Sequence, residues 1–321
     1  MQILYLMGRG HNGSTILNLI LGAHAQITAA GEVSSGMRAL GDECSCGKPL
    51  RECPFWGPTI DSLETAFPDA KEGRYQKMIR YVDSFMRVPQ TLLGFLLPGW
   101  VKQRYQPMTE HLFEEISKHG QTDHIIDSSK EFGRGAFMLK LMPSAKVVYL
   151  ARDGRGVLYS YLKRHQKLGT FHFMKRKRPL KSAWPIMLIT ALGLSFGTFL
   201  GHLYKLLFPS RVLILKYEEV CYEPHKAMKR IGDFIGLDLT ELADRMEAGQ
   251  PMAIGHDIAG NQIRAGKTDF VFRPDEGWRG KLPASYRWIY WVFGMPHALL
   301  HGYYFSGGKA PAKPPAQEDK G

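Results

Sequence analysis

The stretch MQILYLMGRGHNGSTILNLILGAH, residues 1–24, decides how the rest of the chain is read, and its centre is GRGHNGST, Gly8 to Thr15. QILYLM, residues 2–7, is an apolar run that leads straight into the glycines, so it reads as a buried strand. Gly13 to Ala23, with Ile16, Leu17, Leu19, Ile20 and Leu21, reads as a helix. A strand, a glycine-rich turn and a helix N-terminus together make an anion site. Backbone N–H groups point at the ligand and the helix dipole favours negative charge. The flanking strand and helix separate this reading from the plainer one, in which Gly8, Gly10 and Gly13 only make a tight turn.

The spacing follows the phosphate loop G-x-x-x-x-G-K-[ST], with Ser14 where the lysine belongs. In nucleotide-cleaving loops that lysine reaches the β- and γ-phosphates, and the next hydroxyl holds Mg²⁺. Its absence weakens a triphosphate role and favours a ligand with fewer phosphates and no metal. Ser14 and Thr15 add hydroxyl donors.

Working outward, HIID (124–127) reads as a second strand, followed by a loop and helix in SSKEFGRGAFMLKLM. KVVYLA (146–151) reads as a third, followed by the helix RDGRGVLYSYLKRH, and RVLILK (211–216) as a fourth. Glu223-Pro224 starts a helix that runs to Gly236. Strands alternating with helices predict an α/β fold: a three-layer, P-loop-type architecture with a central, mostly parallel sheet and helices on both faces. Residues 1–305 read as one domain, with 54–122 and 162–210 as insertions or lids. The Pro-, Gly-, Ala- and Lys-rich tail, 306–321, reads as disordered.

The chain has 321 residues, 44% hydrophobic and 22% charged, a globular mix. Lys and Arg number 42 against 30 Asp and Glu, a net charge of +12 that favours anionic partners. Four cysteines are too few for a disulfide scaffold. The N-terminal apolar run reads as a strand and not as a signal peptide, so the expected location is cytoplasmic, with membrane association left open.

A second motif is VVYLARDGRGVLYSYLKR, residues 147–164. Arg152 at a strand end and Ser160, two turns into the next helix, can converge on one phosphate, the arginine as a fork and the serine as a hydroxyl. Asp153 is placed to cap that helix.

With both motifs in place, the chain resembles the sulfotransferases of bacterial type that use 3′-phosphoadenosine 5′-phosphosulfate. Their loop [RKH]-[ST]-G-[ST]-T, which binds the 5′-phosphosulfate, corresponds to His11-Asn12-Gly13-Ser14-Thr15. Histidine replaces the more usual arginine or lysine; it titrates near pH ~6.5, and Arg9 can supply charge beside it. Their 3′-phosphate segment corresponds to Arg152, Asp153, Arg155 and Ser160. DSSK (127–130), LKYEEV (215–220) and the stretch from Gly260 to Leu282 match further elements, so the resemblance spans residues 2 to about 285.

The resemblance implies that nucleotide binding involves Arg9, Gly10, His11, Asn12, Gly13, Ser14, Thr15, Arg152, Ser160, Tyr217, Asn261 and Arg264. Trp278 either joins the closing segment or anchors the core. Lys130 is expected to reach the sulfonate or the bridging oxygen. Sulfuryl transfer follows phosphoryl-transfer logic, an in-line displacement governed by positioning and charge. It needs no metal where cationic and backbone donors stabilise the leaving group. The acceptor hydroxyl or amine needs a base, for which Glu32 leads and His11 is the rival. The acceptor itself, whether a carbohydrate or a hydrophobic or lipid-linked alcohol, stays open. The alternatives are a P-loop nucleotide kinase or phosphotransferase, and a non-catalytic basic module for membrane or nucleic acid. No nucleic-acid partner is expected.

CSCGKPLRECPFW, residues 44–56, groups three cysteines. Three thiolates could take zinc with a fourth ligand; with no C-x₂-C pair and Cys221 distant, the stretch reads mainly as a packed loop, and no metal is expected. PIMLITALGLSFGTFLGHLYKLLF (185–208) approaches transmembrane length, about 20 residues. It lies between two strands of one sheet, which a single span would place on opposite sides, so a buried or membrane-lying helix is predicted. Basic residues interleaved with aromatics precede it (163–181), and WIYWVFGMPHALLHGYYF (288–305) is a second apolar segment. Together they suggest an anionic membrane surface as a partner.

Overall fold

The computed structural model describes residues 1–40, 43–168, 170–173, 176–179, 182–260 and 267–303. The described chain forms two compact units: Met1–Arg152 with Phe199–Asp275, and Asp153–Thr198 with the residues from Glu276 on. The predicted tail 306–321, Asn261 and Arg264 lie outside the described residues.

The first unit is a five-stranded parallel sheet with helices around it. Its strands are β1 (Gln2–Met7), β2 (Ile27–Ala29), β3 (His124–Lys130) and β4 (Ala145–Ala151). After β5 (Thr170–Phe173) and β6 (Arg176–Pro179) of the second unit comes β7 (Val212–Lys216). The order is β2-β3-β1-β4-β7. β1 pairs with β3 through Ile3 and Ile125, and with β4 through Leu4 and Lys146, all in parallel. The predicted sheet is therefore present, with one strand the sequence reading did not mark as its own. β2 is three residues long and sits at an edge. The stretch DSSK belongs to β3 itself, which continues to Lys130, and does not follow it as expected.

Alternation along the strands gives each sheet face its own core. Ile3, Tyr5, Met7, Val147 and Tyr149 pack with Leu112, Phe113 and Phe137 from helices Gln106–Gly120 and Phe132–Leu141. Leu4, Leu6, Val148 and Leu150 pack with Leu17 and Ile20 of α1 (Ser14–Gly22) and with Met228 and Ile231 of the helix Pro224–Ile235. Helices thus cover both faces. Within the first core Arg134 is fully buried, its Nε donating to Asp127 at 2.8 Å and its NH1 to the Tyr105 hydroxyl at 2.8 Å.

The second unit holds the helix Gly154–Leu168, the antiparallel β5–β6 pair and the helix Ala284–Phe293. The 24-residue helix Trp184–Leu207 begins in this unit and ends in the first. It is long and apolar enough to cross a membrane by composition, and half of its most apolar window is buried. In the first unit its Gly201 meets the Tyr149 ring so closely that a Cβ would lie 2.4 Å from it.

Candidate active site

Parallel α/β sheets collect ligands at the C-terminal ends of their strands, where strand order reverses. In the first unit those ends carry Gly8 after β1, Lys130 closing β3, and Arg152 after β4. Tyr217 follows β7 directly.

The loop after β1 is braced from within. Gly8 N–H donates to the Lys130 carbonyl at 3.1 Å. A Cβ on Gly8 would lie 2.2 Å from Asn12 Nδ2 and 2.7 Å from the Leu150 carbonyl oxygen. Asn12 uses its side chain on the fold: Nδ2 donates to the Leu150 carbonyl at 3.1 Å and Oδ1 accepts from Ser14 N–H at 3.1 Å. Its side chain is therefore spent on the shape of the loop. His11 has φ +66°, an uncommon value for a residue with a side chain. Gly13, at φ +93°, is left-handed immediately before α1. The first turn of α1 begins with Ser14, whose Oγ is buried with no hydrogen-bond partner among the described residues. Arg9, Gly10 and Thr15 are half-buried around the same turn.

Tyr217 ties this loop to Arg152. A Cβ on Gly13 would lie 2.3 Å from the Tyr217 ring. The Arg152 guanidinium lies over that ring, 4.6 Å from its centroid. Arg152 NH1 donates to the His11 carbonyl at 2.9 Å, and NH2 to Asp275 Oδ2 at 3.0 Å. Burial works against the charge of Arg152, and its neighbours Tyr217 and Asp275 more than offset this, so its pKa is raised. The expected pieces Arg152, Tyr217 and the loop are thus assembled into one contiguous group. Asp275, a carboxylate in the arginine's fork, was not foreseen; its residue type and spacing gave no signal.

Glu32 occupies the N-cap position of α2 (Val33–Arg38), but its side chain does not cap the helix. It accepts a hydrogen bond from Lys130 Nζ, both side chains being mostly buried. The two candidates for chemistry therefore form an ion pair across neighbouring strand ends. Glu32 N–H donates to the Ile258 carbonyl at 2.8 Å, so the strap 255–260 borders the pair. Asp257 in that strap accepts from Asn18 Nδ2 of α1 at 3.0 and 3.1 Å. Neither Asp257 nor Asn18 was picked out by sequence reading.

In the second unit Asp153 caps its helix, accepting from Arg155 N–H at 2.9 Å. It also takes the Arg155 side chain in a two-pronged pair, Nε at 3.0 Å and NH2 at 2.6 Å. The Arg155 guanidinium lies near the rings of Trp278 and Trp291, at 4.9 and 5.2 Å. Trp278 is half-buried and lies against Arg155. Ser160 is half-buried on the helix Gly154–Leu168.

Residues 137–254, from the helix before β4 to the strand after Gln250, match the family model of the sulfotransferase domain. The chain's likeness is to the sulfotransferases. Among solved structures, the sulfotransferase domain from the curacin biosynthetic pathway is similar with a TM-score of 0.50 at 15% identity, covering 94% of this chain and 98% of that one. The sulfotransferase domain from the Synechococcus PCC 7002 olefin synthase gives 0.41 at 18% identity, covering 75% of each chain. Retinol dehydratase, solved in complex with androsterone and inactive cofactor PAP, gives 0.40 at 12% identity, covering 92% of this chain and 80% of its own. At such identities the first of these bears on the fold alone, which is the P-loop-like fold of a sulfotransferase domain.

Proposed function

We propose that the protein transfers a sulfuryl group from 3′-phosphoadenosine 5′-phosphosulfate to a hydroxyl or amine acceptor. One observation carries the reading: Arg152 bridges the loop carbonyl of His11 and the ring of Tyr217, which itself packs under Gly13. A cation is thereby locked beside an anion-binding turn that has no lysine of its own. The fit to a phosphate is supported by Ser14, a buried hydroxyl without a partner among the described residues.

The donor would supply an activated sulfuryl group on a phosphate leaving group. The loop N–H groups and the start of α1 hold the leaving phosphate and offset its growing charge. Lys130, paired with Glu32, presents a positive charge at the next strand end. Glu32 accepts the acceptor's proton; the adjacent ammonium balances the charge of its mostly buried carboxylate until then. His11, with its imidazole on the loop, is the alternative base. Arg152 holds the 3′-phosphate, a group to which the family resemblance also assigns Ser160.

Calorimetric titration tests the reading with three ligands: adenosine 3′,5′-bisphosphate, ATP with Mg²⁺, and an oligonucleotide. The bisphosphate is expected to bind and the other two are not. Tight ATP binding that requires Mg²⁺ would replace this reading with a phosphotransferase, and oligonucleotide binding alone with a non-catalytic module.

A finer reading concerns where the protein works, and one observation favours it. Two helices of the second unit pack side by side, with Trp184 against Tyr286 and Ser195 Oγ donating to the Phe293 carbonyl. Each exposes an apolar stripe: Trp184, Leu192 and Phe196 on one, and Trp288, Val292, Met295 and Leu299 along the segment containing the other. Such stripes suit insertion at a lipid interface beside basic residues. The side chains of the basic run beyond Lys167 lie outside the described residues. Flotation with anionic vesicles at low salt decides: bound protein that Phe196→Ser with Trp288→Ser releases supports attachment, and wholly soluble protein removes it.

A further inference from the structure

The three clustered cysteines acquire a fourth companion that their spacing conceals. Cys44, Cys46 and Cys53 meet His256, and the sulfurs and one imidazole nitrogen all lie within 4.8 Å of one another. His256 stands 203 residues after Cys53, which is why no local pattern announces it. All four residues belong to the first unit.

Three of the distances between donors are close to those of a ligand shell. Cys46 Sγ and Cys53 Sγ are 3.8 Å apart, Cys44 Sγ and His256 Nδ1 3.6 Å, and Cys53 Sγ and His256 Nδ1 3.3 Å. A tetrahedral zinc with Zn–S of about 2.3 Å and Zn–N of about 2.0–2.1 Å has edges of roughly 3.5–3.8 Å between such ligands. Simple hydrophobic packing of cysteines does not require three sulfurs to converge on a ring nitrogen. A disulfide is a different arrangement, with sulfurs about 2.05 Å apart, and all four cysteines of the chain are free thiols.

The surroundings hold the donors in place. The Phe55 ring stacks on the His256 imidazole, 5.6 Å between centroids and 6° between planes. Trp56 Nε1 donates to the His256 carbonyl at 2.6 Å. Ser45 N–H donates to the Asp257 carbonyl, and Asp257 N–H donates back to Ser45 Oγ, each at 3.0 Å. Gly47 turns at φ +81°, letting its N–H reach the Cys44 carbonyl at 2.9 Å while Cys44 N–H reaches the Lys48 carbonyl at 2.9 Å. The result is a tight knuckle that brings Cys44 and Cys46 to one point.

We propose that Cys44, Cys46, Cys53 and His256 bind one zinc ion as a closed, structural site. The donor set is soft, and softness with tetrahedral spacing selects zinc among common divalent ions. With four protein ligands no position remains for substrate, so the ion's role is to fasten. On binding, three thiols release their protons to solvent, and the ion with its three thiolates and neutral imidazole carries one net negative charge. What it fastens is the strap 255–260, through which Ile258 holds the Glu32 backbone and Asp257 holds Asn18 of α1. The proposal replaces the sequence expectation of no metal and is independent of the reading of the nucleotide loop.

The test begins with full-length protein purified under reducing conditions and measured by inductively coupled plasma mass spectrometry. One zinc per chain is expected. Exchange with cobalt(II) should give thiolate-to-cobalt charge transfer and the intense visible bands of a tetrahedral site. Cys46→Ser alters the exposed ligand and should lose most of the charge-transfer intensity, whereas His256→Cys should retain the metal with a shifted spectrum. Folded wild-type protein with metal far below stoichiometric, and no cobalt charge transfer, overturns the proposal whatever the variants do. A Cys46–Cys53 disulfide found by non-reducing peptide mapping of metal-free native protein does the same. Loss of nucleotide binding with zinc retained would count against the sulfotransferase reading and leave this one standing.

Discussion

The loop Gly8–Thr15 and the strap 255–260 both border the Glu32–Lys130 pair, and they are built in opposite ways. The loop is a run of consecutive residues between a strand and a helix, and local spacing sets its shape. Asn12 braces it at both ends of one amide. The strap has little regular structure. Its position comes from partners far away in sequence: Ser45, Trp56, Glu32 and Asn18. A site of the first kind can be recognised from a short motif. A site of the second kind exists only once the sheet has brought its parts together.

The comparison implies that side chains and scaffolds can be separated by experiment. The largest effect is expected from Glu32→Gln, which leaves the backbone bond to Ile258 in place and removes the basic carboxylate. Turnover should fall by about 10²–10⁴-fold, the usual cost of losing a general base, while affinity for the 3′,5′-bisphosphate changes little. Full turnover with a proven acceptor would move the base to His11.

Gly13→Ala tests the loop as a scaffold. The added methyl must enter the Tyr217 ring from a left-handed backbone, so stability should drop by about 1–3 kcal/mol from overpacking alone. Urea unfolding measures it; an unchanged midpoint would mean that the ring moves aside freely and that the loop is less fixed than the strap.

Arg152→Ala comes next and probes the junction between loop and strand end. A charge-assisted hydrogen bond contributes about 1.5–3 kcal/mol, roughly 10- to 150-fold in affinity for the 3′,5′-bisphosphate. Ser160→Ala should show the smallest effect, about 0.5–1.5 kcal/mol for one neutral hydrogen bond. Both losses should be greater for the 3′,5′-bisphosphate than for the 5′-monophosphate. Equal losses for the two ligands would remove the 3′-phosphate assignment.

Legibility in the sequence followed the same division. β1, the turn, α1, and the strand before Arg152 could be read because period and punctuation agree over short spans. β2 could not be read as an element, since Ile27–Ala29 is too short to show a period and gains its place from pairing with β3. Residues 54–122 read as less regular, with a helical pattern in RYQKMIRYVDSFM (74–86); the helix Arg74–Val82 is present there, and Trp56–Ala66 and Gln106–Gly120 are helices that the pattern did not single out. Prolines in the first turn of several of these segments interrupt the hydrophobic pattern without preventing helix formation. The pairing of Glu32 with Lys130 depends on strand order, because β2 and β3 are neighbours although 98 residues separate the two side chains. His256 shows the limit most clearly: a single histidine with no local partner carries no signal until the fold sets it beside three sulfurs.

Asp275 in the fork of Arg152 has a consequence for how a phosphate would be received. The arginine is nearly enclosed, while the carboxylate on it is 42% exposed at its side chain. Arrival of a phosphate at that fork is therefore an exchange of one anion for another. Exchange of this kind largely cancels the long-range electrostatic gain. Affinity at the fork should thus respond to salt far less than the net charge of +12 suggests, and neutralising the resident group in Asp275→Asn should strengthen both the binding and its salt dependence.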